Sequence, residues 1–339
     1  MKGQRCDIGL ERLVIIVATR FVTCSRRKSI YPKPLLTILS CGAALSRNMK
    51  SDLLALAAIA MWSTLATLGL SLAHLPPFLL TGLSLLVGSV IAIPLARGNL
   101  RAIIAPTKLL AVGIYGLFGY HFLLFMAFRT APALEANLLN YLWPLAIVLL
   151  APLFNAKLRV EGRHLIAAMI GFLGAAIAIV GRQAGAQAPI LESWHLGYLY
   201  AIAAALVWAS FSLWTSQLSF RTIQIGSFSA LSGLLSLALH MLIEEPTQLS
   251  ASDAGLILLL GFGPLGAAFY CWDAALKLGD PRRIGILSFL TPLLSTILLV
   301  SATDVAIGPH IMLAAFMILG SALWGTKSPE SGAEEADKP

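Results

Sequence analysis

The sequence is poor in charge. Only 12% of its 339 residues are Asp, Glu, Lys or Arg, about half the share of an ordinary soluble domain, and that shortage excludes a typical soluble enzyme. The four cysteines, Cys6, Cys24, Cys41 and Cys271, form no Cys-x-x-Cys pair and have no histidine at zinc-ligand spacing. Neither a disulfide framework nor a metal site is therefore expected, and Cys271, inside an apolar run, reads as a small core hydrophobe. Phosphate loops of the GxxxxGK[ST] kind, HExxH helices and strand-to-helix GxGxxG turns are all absent, so nucleotide and zinc hydrolysis lack their machinery and no cofactor is expected. Carboxylates are scarce where they would be needed for chemistry on lipid-linked substrates: Asp273 alone lies well inside an apolar run. An intramembrane enzyme built on a metal and clustered carboxylates is disfavoured on that ground.

What the chain has is long apolar sequence: 58% of its residues are apolar and the mean hydropathy is +0.83, so most of its solvent is lipid. Ten runs have spanning length: Leu53 to Ala73, Phe78 to Ala96, Leu109 to Phe128, Ala133 to Phe154, His164 to Val180, Leu196 to Gln217, Ile225 to Ile243, Ala254 to Leu276, Gly285 to Ala302 and Ile307 to Trp324. Backbone N–H and C=O groups in hydrocarbon need internal partners, so runs this long are expected to be helices. Strand-length alternation is missing, which disfavours a barrel. The connections are too short for a soluble domain. The expectation is an all-α integral membrane protein with ten transmembrane helices in one bundle.

Charge placement orients that bundle. From Met49 onward there are 15 Lys and Arg; with the N-terminus inside, 13 fall on the cytoplasmic side and only Arg129 and Arg182 outside. The outer connections hold Glu135, Glu192, Glu244, Glu245, Asp253 and Asp304 instead. Such a bias is a positive-inside signal, and an even number of spans puts both termini in the cytoplasm. Of the formal charge of +8, residues 1–48 supply +7 and residues 49–339 only +1, so the basic total gives no reason to invoke nucleic acid. The extension 1–48 reads as a disordered tail or a misassigned start ahead of Met49-Lys50-Ser51-Asp52. Its apolar runs are unlike a signal peptide because of the long basic leader, and the Ile-Leu-Ser-Cys ending at Cys41 has only a faint likeness to a lipoprotein box.

An internal repeat is also present. Ala-Met-Trp-Ser at 60–63 matches Leu-Val-Trp-Ala at 206–209, Gly119 with Phe122 matches Gly266 with Phe269, and Asn-Tyr-Leu-Trp-Pro-Leu at 140–145 matches Ser-Phe-Leu-Thr-Pro-Leu at 288–293, at offsets of 146, 147 and 148. The unit holds five helices, and five is odd, so the second copy enters the membrane inverted. The expected units are 49–181 and 182–326, followed by a polar tail, 327–339. This architecture, with a Trp in the first helix and a Pro in the fourth helix of each half, resembles the drug/metabolite transporter superfamily in its EamA-like branch. The stretch Asn140-Tyr141-Leu142-Trp143-Pro144 is similar to that of the bacterial amino acid exporters of the YddG type. The resemblance implies cytoplasmic termini, a substrate cavity between the halves, and an inner-membrane exporter of aromatic or other neutral amino acids or related metabolites. An exporter of another solute, such as a drug, a cation or a nucleotide sugar, stays open as the alternative.

Candidate site residues follow from helical projection. In the fourth span Asn137, Asn140, Tyr141 and Pro144 fall within about 100° of one another, a polar stripe in which Pro144 frees the Asn140 carbonyl to face a cavity. Bonding to neighbouring helices is the competing use of such a stripe, and Trp143 projects off it. The ninth span places Ser288, Phe289, Thr291, Pro292 and Ser295 equivalently, with bonding to backbone carbonyls as the competing role of the hydroxyls. Pro144 and Pro292 are the expected kink positions. In the sixth span Trp208, Phe211, Ser212 and Thr215 share a face. His121, near the middle of the third span, is a candidate for substrate contact or proton coupling, or else a neutral ring packed among Phe118, Phe125 and Phe128; Tyr120 is expected to point elsewhere. Phe269 lies on the same side of the eighth span as Phe262, Gly266 and Asp273, and Asp273 is expected to pair with Lys277 one turn later. Glu135 and Arg129 flank the outer turn, where they could gate or pair, with interfacial solvation as the simpler reading. The small face Gly171, Gly174, Ala175 and Ala178 reads as close helix packing or a weak homodimer contact. The expected partners are thus a small-molecule substrate, the lipid bilayer and at most a second copy of the chain.

Overall fold

A computed structural model describes residues 46–181, 195–302 and 309–326. The readings made on residues 1–45, on the boundary at 182 and on the tail after 326 lie outside the described residues. All regular structure among those residues is helical. In chain order the helices are α1 (Arg47–Ser63), α2 (Leu65–Ser71), α3 (Pro77–Ser89), α4 (Ala92–Leu95), α5 (Thr107–Ile114), α6 (Tyr120–Thr130), α7 (Ala133–Asn140) and α8 (Trp143–Phe154). There follow α9 (Gly162–Gly181), α10 (Leu196–Gln217), α11 (Ile225–Ile243), α12 (Ala251–Phe262), α13 (Ala268–Leu278), α14 (Pro281–Leu287), α15 (Leu290–Ala302) and α16 (Pro309–Gly325). Eight stretches are long and apolar enough to cross a bilayer, from Arg47–Ser71 to Ala251–Leu278, and each overlaps one of the first eight expected spans. The ninth is split into α14 and α15, and the tenth, α16, is a 17-residue apolar helix.

Breaks fall where the sequence withholds backbone donors or offers competing acceptors. Pro144 has no N–H for the Asn140 carbonyl, and α7 ends at Asn140; Leu142 N bonds Leu139 O at 3.1 Å, a tightened turn, before α8 starts. In the second half Pro292 withholds its donor from Ser288, whose carbonyl is taken by Thr291 N at 3.0 Å, while Ser288 Oγ donates to Gly285 O at 2.6 Å. The fourth span is therefore not the continuous helix on which the polar stripe was projected. Two π-helical segments, Tyr115–Gly119 between α5 and α6 and Gly263–Ala267 between α12 and α13, widen the third and eighth stretches.

Side-chain bonds sort the connections into two ends. At one, Arg47 donates to Leu278 O (2.9 Å), Lys277 to Phe220 O (3.0 Å), Gln224 to Ile104 O (3.0 Å) and Arg282 to Arg159 O. Arg283 joins the same end to both described chain ends, pairing with Asp52 at 2.5 Å and donating to Thr326 O. The connections so joined contain Lys50, Arg97, Arg101, Lys108, Lys157, Arg159, Arg163, Arg221 and Arg282. At the other end Glu244 accepts from the N–H groups of Phe78 (3.0 Å) and Leu79 (3.2 Å) at the start of α3, a carboxylate on a positive helix terminus, and His74 pairs with Asp253 at 3.2 Å. Glu135 at this end is buried and accepts from the Tyr198 hydroxyl, so it is not the solvated group expected.

Glycines permit the tightest approaches. A Cβ on Gly171 would meet the Phe289 ring and Ser321 Oγ, and one on Gly174 would meet Ile318 and Met317 of α16. The small face of α9 thus packs within the chain. A Cβ on Gly266 would overlap the Gly261 carbonyl oxygen and lie 2.9 Å from Gly88 Cα. Gly266→Val should therefore cost about 1–3 kcal/mol by overpacking, read as a lower Tm in detergent; an unchanged Tm would contradict this backbone contact.

Asp280, in the connection before α14, caps that helix by accepting from Arg282 N at 2.9 Å. Burial presses its carboxyl upward, but the Arg282 hydrogen bonds and charge, with His164 nearby, hold it below its ordinary 3.8. A carboxylate held low in the folded chain stabilises at pH above its unfolded value, and that contribution is lost as pH falls through the folded value. Asp280→Asn should lower the Tm at neutral pH, and the gap to wild type should close below about pH 4.

A candidate site walled by tryptophans

Trp62 of α1, Trp143 of α8, Trp208 of α10 and Trp272 of α13 meet inside the bundle, and all six pairs are in ring contact. Trp62 lies 5.1 Å from Trp272, 5.7 Å from Trp208 and 6.3 Å from Trp143, centroid to centroid. Trp143 lies 5.6 Å from Trp272 and 6.5 Å from Trp208, and Trp208 and Trp272 stack at 6.5 Å. Four of the contacts are edge-to-face, the geometry favoured by the aromatic quadrupole and worth about 0.5–1.5 kcal/mol each beyond area burial. Phe269 of α13 joins at 5.7 Å from Trp208 and 6.2 Å from Trp62. Tyr120 and His121 of α6 extend the wall, Tyr120 at 5.3 Å from Trp208 and His121 at 6.4 Å from Phe269.

Polar partners are few and specific. Trp62 Nε1 donates to Pro264 O at 3.0 Å, in the π segment before α13, and Trp272 Nε1 donates to Ser212 Oγ at 3.0 Å. Among the described residues the indole N–H groups of Trp143 and Trp208 donate to no protein atom. His121 Nδ1 bonds Leu117 O at 2.6 Å; a carbonyl only accepts, so Nδ1 carries the proton and Nε2 of the neutral ring is an acceptor. Asn140 Nδ2 donates to the Tyr120 hydroxyl at 3.2 Å, and Asn140 Oδ1, buried, has no partner. Turning the amide over exchanges these two atoms and leaves the other one unpaired. The site thus joins neutral aromatic walls to unfilled donors and an unfilled amide position, suited to a solute with an aromatic body and a polar head.

Of the expected residues, the structure brings together His121, Asn140 (through Tyr120), Trp208, Ser212 and Phe269. Asn137 and Tyr141 are half-buried at the break between α7 and α8. Ser288 turns to its own backbone, and Thr291 is buried with its hydroxyl unpaired. Their neighbour Phe289 packs with Val148 and Ile318 in a separate core cluster, away from the tryptophans. Two expectations are corrected. Trp143 belongs to the wall because the chain restarts its helix at that residue, which resets the projection; Tyr120 shares the site with His121 because rings on adjacent helical residues, about 100° apart, are large enough to meet, their centroids 5.1 Å apart. Trp272 was not singled out at all. Its signal was available: Trp272 lies three residues beyond Phe269, so the two sit on adjoining parts of one helix face.

The model of the EamA-like transporter family matches residues 49–180 and again 195–325. The chain belongs to the EamA-like transporter family. It is similar to the aromatic amino acid exporter YddG of Ancylobacter novellus, at 37% identity over 280 residues that cover 81% of this chain and 96% of that protein. Similarity extends to the exporter of the same name from Escherichia coli K12, at 25% identity over 286 residues and the same two coverages, 81% and 96%. A solved crystal structure, 37% identical, superposes with a TM-score of 0.76 and covers 83% of this chain and 98% of its own.

Trp62→Phe and Trp143→Phe separate the two kinds of indole. Both remove similar volume, but only the first strips a buried carbonyl of its donor, at about 1 kcal/mol. The Trp62 variant should show the larger fall in Tm, and equal falls would contradict the Trp62–Pro264 bond.

Proposed function

We propose that this membrane transporter exports aromatic amino acids, by alternating access around the tryptophan-walled site. The observation that carries the reading is that site itself: four mutually packed tryptophans, two of them with unused N–H groups, beside His121 and a half-satisfied Asn140. Aromatic rings of the substrate stack in the wall, its ammonium meets the negative ring faces, and its carboxylate takes the free indole donors of Trp143 and Trp208. The names of the relatives point the same way.

The chain crosses the bacterial inner membrane ten times, α14 with α15 making the ninth crossing and α16 the tenth. Several observations support this count. Asp52 and Thr326 both bind Arg283 at the basic end, which requires an even number of crossings, and basic connections at one end match a cytoplasmic face. The halves 49–181 and 182–326 are inverted repeats; the breaks after Asn140 and Leu287 and the π segments at 115–119 and 263–267 recur in both. Pro144 and Pro292 mark the hinges, with Asn137, Tyr141, Ser288 and Thr291 lining them. The transporter works without a cofactor, as a monomer or weak homodimer.

Flux of labelled phenylalanine, tyrosine and tryptophan in proteoliposomes tests the reading. Wild-type protein should exchange them, and Trp208→Ala should cut the rate at least about tenfold, the loss of roughly 1.4 kcal/mol of binding. Transport of a cation or nucleotide sugar with no movement of any amino acid would overturn it.

A further inference from the structure

Resting on the amino acid reading above, we infer that Asp273 and Lys277 form a second, separate site on the path to the tryptophans, one that docks the zwitterionic head of an α-amino acid. Phe269, Asp273 and Lys277 follow one another at four-residue spacing on α13 and share a face. Phe269 belongs to the aromatic wall, whereas Lys277 reaches the basic end through its bond to Phe220 O. The charged pair therefore lies on the basic-end side of the wall, Asp273 next in sequence to Trp272 and one turn, about 6 Å along the helix axis, from Phe269.

The pair is incomplete by itself. Lys277 Nζ bonds Asp273 Oδ2 at 2.7 Å, sits 3.0 Å from Phe220 O and lies 3.3 Å above the centre of the Phe220 ring. The Asp273 side chain is 5% exposed, and no hydrogen bond of good geometry reaches its Oδ1, the Thr222 side chain interacting with the carboxylate as a whole. Burying a carboxylate with one oxygen unfilled is costly in a membrane interior, and an ion pair kept only for stability gains nothing from it. An arriving ammonium fills Oδ1 without displacing Lys277. The carboxylate on the same α-carbon then meets the Lys277 ammonium, which is the more exposed partner, its side chain 20% exposed.

Charge balance gives this site its selectivity. Asp273 and Lys277 sum to zero, and so does an amino acid zwitterion, so docking leaves no uncompensated charge in the bundle. An amine without the carboxylate, or an acid without the ammonium, leaves one. The pair thus reads the head of the substrate first, before the wall takes up the whole molecule.

The experiment measures competition against labelled phenylalanine in proteoliposomes that offer substrate to the basic end of the full-length protein, with phenylalanine, phenethylamine and 3-phenylpropionate as competitors. Wild type should prefer phenylalanine over either analogue by at least about tenfold. Asp273→Asn combined with Lys277→Met removes both charges and avoids stranding one of them; it should fold, judged by a single gel-filtration peak and a Tm near that of wild type. Its KM for phenylalanine should rise about tenfold and its preference over the amine and the acid should shrink, with kcat largely kept. Asp273→Glu, which retains the charge but displaces it, should raise KM several-fold with its preference kept. A double variant and an Asp273→Glu variant that both keep wild-type KM and preference overturn the docking site while leaving the transport reading standing. Wild-type protein that moves no amino acid overturns both.

Discussion

The constraint on which this structure depends is that lipid offers the backbone no hydrogen bonds. Every N–H and C=O in a span has to be answered from within, which makes helices obligatory and makes any departure from them conspicuous. The departures here are few, and apart from the breaks at Thr64 and at Val90–Ile91 in the first two spans they come in pairs. Tyr141–Leu142 and Ser288–Phe289 interrupt the fourth and ninth spans, and π turns widen the third and eighth. Each interruption puts unusual backbone inside the protein, where other groups can answer it. The Pro264 carbonyl of one π segment is met by the Trp62 indole, and the Leu117 carbonyl of the other by the His121 ring.

Those same interruptions build the site. Ending a helix at Asn140 and starting another at Trp143 swings an indole into the wall that a continuous helix would have aimed elsewhere, and Tyr120 and His121, adjacent at the start of α6, meet ring to ring. The wall is also the centre of the largest hydrophobic cluster. The side chains proposed for recognition are thus also core side chains. The indole N–H groups of Trp143 and Trp208, with the idle amide atom of Asn140, are what a core designed only for stability would have eliminated.

Much of this was legible in the sequence. The positions of the first eight spans and the pairing of Asp273 with Lys277 depend on hydrophobicity and short-range spacing, which the sequence carries directly. Trp208, Ser212 and Phe269 were found because α10 is unbroken and α13 runs regularly from Ala268. Trp143 was misplaced because projection at 100° per residue assumes an unbroken helix and the chain breaks at Tyr141–Leu142; Tyr120 was misplaced because projection marks directions only and ignores the reach of large rings on adjacent residues. Glu135 was misjudged because its partner, Tyr198, is 63 residues away, a tertiary contact to which no local pattern points. Ser288 went to its own backbone, as hydroxyls in membrane helices commonly do.

Arg283 holds Asp52 with two guanidinium nitrogens and Thr326 O with another. The first and last described helices therefore meet at one arginine, although the sequence places them at opposite ends of the chain. A short peptide joining residues 46 and 326, with new termini opened in the connection after α8, would ask the helices to make the same contacts in a different order of synthesis, which is the circumstance in which circular permutation is tolerated.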